Sequence, residues 1–504
     1  MILRTDCVFI RSLLCLRQIS TRIITPLQEI KMDFTQRTYP KARVGLFAVG
    51  LAAYWPQFPG LKEKLESYYQ HIADQLADFA EVVGVGLVDT PQQAHAAGAR
   101  LAAERVDLLI CHTATYATSS QVLPIVQQAN VPVLVLNLQP VAALDYENVD
   151  TAEWLASCST CCVPEISNAF HRAGINFQVV SGMLYEDQRV WTNLRQWCQA
   201  ATAVRVLRGA RFGFLGHTYP GMLDMYSDFT QHHAQIGSHI EVLELCDLKD
   251  CVDAVSETAI KAKLDEAHAL FDIDSSANAD DLHWACRVAA GLDQLVADFE
   301  LSALAYYYRG TNGSEYERLG AGLILGNSLL TARGIPAAGE GDLKNAVAMK
   351  IMDTLGAGGS YTEFYAMDFN ENFVLMGHDG PAHLAISGRK PMLRGLGVYH
   401  GKAGSGISVE FTVKTGPVTI LTCTQTRDGK LKFMSAQGEC IPGPLMRIGN
   451  TNSRLKFKLP PAEFVDAWCA EAPTHHCALG VGHVADTLRK FARLKGLNFV
   501  EVGA

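Results

Sequence analysis

Arg43-Val44-Gly45-Leu46-Phe47-Ala48-Val49 is an unbroken apolar run behind one arginine, the pattern of a strand covered on both faces rather than one alternating between core and water. A loop with Tyr54-Trp55-Pro56-Gln57 follows, and the apolar spacing from about Leu61 to Phe79 reads as an amphipathic helix. Outward from there the alternation repeats: strand Val82–Val88, helix Pro91–Glu104 with Thr90 as its N-cap, strand Val106–Cys111, helix Ser119–Gln128 and strand Val131–Leu136. Strand–helix–strand units of this length build a parallel, doubly wound sheet. Such sheets hold ligands at the carboxyl ends of their strands, which here offer Tyr54 and Gln57, His112-Thr113, and Asn137 with Gln139. No GxGxxG follows the first strand, so a dinucleotide site is not supported.

A second α/β unit is expected from about Ala169, with strands Phe177–Ser181, Arg211–Gly216 and Ala303–Tyr308 and helices Asp187–Leu207, Leu248–Phe271 and Ala279–Phe299. Beyond His378 the β-branched runs Val409–Val413, Val418–Cys423 and Leu431–Met434 are separated by turn chemistry, Asp428-Gly429 being a hairpin signal. Helices Pro461–Ala470 and Ala485–Lys495 end the chain. The sequence therefore predicts an α/β protein: an N-terminal extension (1–32), two doubly wound parallel-sheet, Rossmann-like domains (33–168 and 169–377), and an antiparallel β domain with terminal helices (378–504).

The chemistry is concentrated between Gly339 and His378. Gly339-Glu340-Gly341-Asp342-Leu343-Lys344 opens a helix-like run to Leu355; after the turn Gly356–Gly359 come Tyr361-Thr362-Glu363-Phe364-Tyr365 and Gly377-His378-Asp379. Another histidine follows a glycine turn at Gly480-Val481-Gly482-His483. Two Glu and two His form an N/O ligand set suited to Mn²⁺, Co²⁺ or Zn²⁺, with positions open to water or substrate. Spacing alone leaves simpler readings open: Glu340 as an acid favoured at a helix start, Glu363 as a surface carboxylate, His378 as a loop histidine.

The chain has 504 residues, 48% hydrophobic and 19% charged, enough for two or three domains with ample core. A net charge of −9 argues against nucleic-acid or membrane-surface partners. The 14 cysteines are scattered; the cluster Cys158-Ser159-Thr160-Cys161-Cys162 lacks the second half of a zinc site and reads as a reduced loop-to-helix segment. That usage fits a reducing compartment, the cytoplasm first. Residues 1–31, with Arg4, Arg11, Arg17 and Arg22, fit a mitochondrial presequence or an upstream extension before Met32 equally well.

Glu340-Gly341-Asp342 with Lys344, the following helix, the glycine turn, Glu363-Phe364-Tyr365 and Gly377-His378 resemble, in order, the metal-site segment of L-arabinose isomerases, and Gly416-Pro417 and the turn before His483 continue the match. The resemblance to the L-arabinose and L-fucose isomerase-like family of aldose–ketose isomerases implies metal ligands at Glu340, Glu363, His378 and His483, with Glu340 and Glu363 also catalytic. It implies Mn²⁺ as the cofactor, with Co²⁺ or Mg²⁺ as alternatives, a monosaccharide substrate, and a homo-oligomer, hexamer or trimer, whose pocket lies near a subunit boundary. Cys111-His112-Thr113-Ala114-Thr115 resembles the family's strand-end His-Thr near the sugar, and Gly216–Met225 resembles a pocket-lining loop; the substrate-binding set is Gln57, His112, Tyr219, Met222, Tyr308 and Tyr365. The chain departs from the family at Leu343, where a tryptophan is usual, at Tyr54–Gln57, and at Gly482, where a histidine usually precedes the ligand. The rival readings are a non-catalytic sugar-binding protein and a metal hydrolase on the same ligands.

Overall fold

The computed structural model describes residues 39–308, 313–399 and 402–504. The described residues fall within one compact unit. The expected extension or presequence lies outside the described residues, as do residues 309–312 of the loop after Tyr308.

Strands β1 (Arg43–Val49), β2 (Glu81–Val88), β3 (Leu108–Thr113), β4 (Val133–Gln139) and β5 (Phe177–Met183) form a parallel sheet in the order β2-β1-β3-β4-β5. Successive side chains of β1 point to opposite faces, and both faces are covered. Val44, Leu46 and Ala48 meet the helices Leu61–Ala77 and Gln188–Arg208, whereas Phe47 and Val49 meet Pro91–Ala103 and Val163–Arg172. This two-sided burial is what produced the unbroken apolar run, and Thr90 caps its helix by accepting from the Gln93 N–H. The strand at Phe177–Met183, expected to open the second unit, instead pairs with β4 and completes the first sheet. The long helix Gln188–Arg208 then packs back on that sheet, so the boundary drawn at 168/169 falls inside the first sheet's topology.

Strands β6 (Arg211–Gly216), β7 (His239–Leu243), β9 (Ala303–Tyr307) and β10 (Ala337–Ala338) form a second parallel sheet, ordered β10-β9-β6-β7. The short β8 (Asp272–Ile273) belongs to a separate three-stranded sheet described below. The segment read as one helix from Leu248 is two, Leu245–Asp253 and Glu257–Leu270, because Ser256 caps the second by accepting from the Ala259 N–H.

The antiparallel region begins at Gly358, not at His378. β11 (Gly358–Asp368), β12 (Phe373–His378), β15 (Gly416–Gln425), β16 (Leu431–Ile441), β17 (Thr451–Phe457), β18 (His476–Val481) and β19 (Asn498–Glu501) are ordered β15-β18-β11-β12-β17-β16-β19. A further β15–β16 pairing closes the sheet on itself. β13 (Met392–Tyr399) and β14 (Lys402–Glu410) form a hairpin joined by β8. The helix Leu343–Thr354 is buried along nearly its whole length between the second parallel sheet and β11, β15 and β18. Its first turn therefore opens where the two kinds of sheet meet.

Candidate functional site

Glu340 sits at that meeting point. It lies in the turn between β10 and the buried helix with φ of 58°, and Gly341 follows at φ of 72°. Two consecutive left-handed residues, the first of them not glycine, form a strained turn of the kind held only by its surroundings. The Tyr219 N–H donates to the Glu340 carbonyl at 2.9 Å, and a Cβ on Gly341 would stand 2.5 Å from the His217 carbonyl oxygen. The carboxylate is buried.

The antiparallel sheet supplies the rest. Period-two alternation puts Tyr361 and Glu363 on one face of β11. Glu363 stands directly opposite Gly377 on one side and His476 on the other. His378, the last residue of β12, follows Gly377. The result is two overlapping groups, Glu363, His378 and His476, and Glu340, His475 and His476, each with its ligand atoms within 4.8 Å of one another. His378 Nε2 is 4.0 Å from Glu363 Oε1, and His476 and His475 Nε2 lie 3.6 and 3.8 Å from Glu340 Oε2. Donor atoms bonded to one ion at about 2.0–2.2 Å stand no more than about 4.4 Å apart, so these N/O atoms fit a divalent cation with small side-chain adjustments.

The surrounding groups fix each ring. Asp342 Oδ1 accepts from the Asn345 N–H at 2.9 Å as the helix N-cap, while Oδ2 lies 3.0 Å from His476 Nδ1. Burial opposes ionisation of Asp342, but His476 and Lys344 hold its pKa below the ordinary value; burial likewise keeps His476 low. The pair is an ionised carboxylate accepting from a neutral imidazole, which turns the Nε2 lone pair toward the cluster. Burial opposes protonation of His378, yet Asp379 at 3.0 Å, Glu363 and Glu340 raise its pKa. His475 is buried enough to be pushed down, but Asp224 at 2.7 Å and Glu340 overcome this and raise it to about 10. The Tyr361 hydroxyl is 2.8 Å from His476 Nε2, and its ring packs 4.3 Å from His378; burial raises its pKa well above the ordinary value, so it remains a neutral phenol.

Glu340, Glu363 and His378 thus stand together as expected, but His483 does not join them. It lies past the far end of β18, exposed, with Nε2 3.1 Å from the Gly438 carbonyl. His476, at the start of β18, is the histidine that both groups share. The signal was in Thr474-His475-His476, a histidine preceded by a histidine. Tyr219 packs on Tyr307 at 4.6 Å beside the Glu340 turn, with Met222 half-buried in the same loop. Tyr306, Tyr307 and Tyr308 line a cleft with Glu340 and His378. Tyr365, beside a bulge in β11, accepts from Asn450 Nδ2 at 2.6 Å; burial first, then Asp379 and Glu363, raise its pKa. His112 lies on β3 of the first sheet, and Gln57 lies in a turn of the loop that follows β1. Gln57 is exposed and donates to the Ala53 carbonyl. His112 is buried, with both ring nitrogens unbonded among the described residues, and burial lowers its pKa to about 4.

Carboxylates and imidazoles from a strained turn and three adjacent strands, at the junction of a parallel and an antiparallel sheet, form a candidate mixed O/N cation site. Residues 226–358 match the L-arabinose isomerase central domain family. L-arabinose isomerase of Acidothermus cellulolyticus is 24% identical over 65% of this chain and 67% of its own length, and that of Shewanella baltica 23% identical over 64% and 65%. L-arabinose isomerase 1 of Bacillus licheniformis is 21% identical over 77% and 78%. The first of these alignments span about two thirds of the relatives' length. A periplasmic solute-binding protein of Actinobacillus succinogenes with bound D-allose aligns over 59% of this chain and 95% of its own at 11% identity and a TM-score of 0.17. The chain is thus similar to L-arabinose isomerases, over their central domain and along about two thirds of its length. Among the described residues no helix is long and apolar enough to cross a membrane.

Proposed function

We propose that the protein is a metal-dependent aldose–ketose isomerase acting on a pentose or 6-deoxyhexose, L-arabinose or L-fucose first, through a cis-enediol. The observation that carries this reading is the pair of overlapping groups, each with one carboxylate, that share His476. Mn²⁺ is the proposed ion, with Co²⁺ and Mg²⁺ as alternatives, held by Glu340, Glu363, His378 and His476. When bound, the ion supplies Lewis-acid polarisation of the sugar's adjacent oxygens.

The side chains do the remainder. One of Glu340 and Glu363 takes the proton from the carbon next to the carbonyl and returns it to the neighbouring carbon, and the other serves the oxygens. Facing one site, they titrate as a pair, and positioned acid–base groups contribute about 10²–10⁴-fold each. Asp342 keeps His476 in one tautomer. Tyr306 and Tyr308 line the approach to Glu340 and His378 and exclude water from that side. Tyr219, Met222 and Tyr365 are further proposed pocket residues in addition to Tyr308, while Gln57, in the loop after β1, and His112, near the end of β3, remain substrate candidates. A homo-oligomer, hexamer or trimer, in the cytoplasm belongs to the same proposal.

The test is a panel of aldoses and ketoses with Mn²⁺, followed by exchange of the C2 proton in D₂O. Interconversion with exchange is expected. Sugars that bind without exchange would establish a binding protein instead.

A further inference from the structure

We propose that Cys158 and Cys161 form a thiol–disulfide exchange site, oxidised by low-molecular-weight disulfides of the glutathione type. The Cys158-Ser159-Thr160-Cys161 segment follows the helix Thr151–Leu155 and runs through a helical turn, Thr160–Cys162, into the helix Val163–Arg172. A CxxC pair at a helix start is the arrangement in which two thiols lie close enough to exchange. Here the two sulfurs are 3.0 Å apart, and Cys161 Sγ also donates to the Cys158 carbonyl at 3.1 Å. A disulfide needs about 2.05 Å, so closure brings the sulfurs closer by about 1 Å.

The two thiols are unequal. Cys161 is exposed and Cys158 half-buried; burial first, then the neighbouring Cys161, pushes Cys158 up to about 12. Cys162 is buried, with its sulfur turned to the Ser159 carbonyl at 3.3 Å. Cys161 is therefore the thiol an oxidant meets. Its thiolate attacks one sulfur of the glutathione disulfide, forming a mixed disulfide and expelling one glutathione thiolate. Cys158, deprotonated as it attacks, then displaces the second glutathione from Cys161. The protein gives up two protons and two electrons, one disulfide forms as another breaks, and two glutathione thiols leave. No group of three metal-ligating side chains among the described residues includes either cysteine.

The site is wired to the first sheet. The hydroxyls of Ser159 and Thr160, the residues between the cysteines, both donate to Asn137 Oδ1, at 2.9 and 3.0 Å. Asn137 lies on β4, and its Nδ2 donates across to Ser181 on β5. Closing the disulfide closes a ring around the two residues that hold this carboxyl edge.

The experiment uses the full chain, incubated with excess oxidised glutathione, trapped with N-ethylmaleimide, digested and mapped by mass spectrometry. The expected product is the Cys158–Cys161 peptide two hydrogens lighter, restored by dithiothreitol, with Cys162 still alkylatable after denaturation. In the reduced protein, Cys161 should alkylate on the order of tenfold faster than Cys162. The Cys158→Ser chain should stop at a glutathione adduct on Cys161, and the Cys161→Ser chain should lose no hydrogens from this peptide. Two unmodified thiols at 158 and 161 after oxidation of the native chain would overturn the proposal, as would adducts confined to the exposed single cysteines Cys246 and Cys469.

Discussion

Asp342 carries two duties on its two oxygens, and Asp342→Asn separates them. Oδ1 caps the buried helix through Asn345, and Oδ2 takes the Nδ1–H of His476. Asparagine keeps one acceptor oxygen. If that oxygen stays at the cap, the amide nitrogen faces His476 Nδ1, and the ring answers by moving its proton to Nε2, the atom that faces the cation position. Loss of such an outer carboxylate lowers metal affinity by about 10–100-fold, or roughly 1.4–2.7 kcal/mol. The helix cap survives in Asp342→Asn but not in Asp342→Ala, which loses about 1 kcal/mol more in folding stability. Titration of the metal-stripped protein with Mn²⁺, followed by the paramagnetic signal of the free ion, reads the first quantity, and denaturant unfolding reads the second. Asp342→Asn binding Mn²⁺ as tightly as the unaltered chain would refute the assignment of Asp342 as the group that sets the His476 tautomer.

Glu340→Gln and Glu363→Gln should each lower turnover by several orders of magnitude while the melting curve of the metal-free protein changes little; near-normal turnover in either removes that residue from the mechanism. His476→Gln should abolish stoichiometric Mn²⁺ binding by elemental analysis, whereas His483→Gln should leave it intact. Gly341→Ala combines about 1–2 kcal/mol for left-handed backbone with about 1–3 kcal/mol for crowding against His217 and Thr218. Gly482→Ala, with φ of 87° but nothing within 4 Å, should show the first part only, so equal losses by denaturant unfolding would count against the packing argument. Burial first, then His233, lowers the pKa of His232 from 6.5 to about 4. A base whose folded pKa is depressed contributes stability that is present above its unfolded pKa and withdrawn as pH falls from about 6.5 toward 4, here about 3 kcal/mol in all. His232→Gln should flatten the loss of stability between pH 7 and pH 4 by that amount, and an unchanged slope would exclude His232 as its source.

The first sheet was legible because burial on both faces leaves a local mark, as in Val44–Val49, and because Thr90 and the glycine turns punctuate the chain where the backbone requires it. Pairing partners leave no such mark. Phe177–Met183 reads as a strand from its residues, but nothing within it says that β4 is its neighbour. β7 is an edge strand with Val242 largely exposed, so it lacks the apolar run that betrayed β1, and it went unread. At the site, Glu340, Glu363 and His378 stood out through the glycines and aromatic residues beside them. His476 was overlooked because its meaning lies across the sheet, opposite Glu363. The glycine turn before His483 was the louder local signal, and it serves the end of β18 rather than the cluster.

The pairing of Glu363 with His476 across β11 and β18 has a bearing on how the chain folds. These contacts, and those of β12 with β17, join residues far apart in sequence, and such pairings form slowly because chain entropy is lost before they repay it. A slip of one residue in β18 would turn His476 to the opposite face and leave the ligand set broken. A Mn²⁺ ion would therefore distinguish the correctly registered sheet from its near neighbours and stabilise only that one. Metal added during refolding should then change the yield of native protein more than metal added afterwards, which would make the proposed metal site a late proofreader of the sheet that builds it.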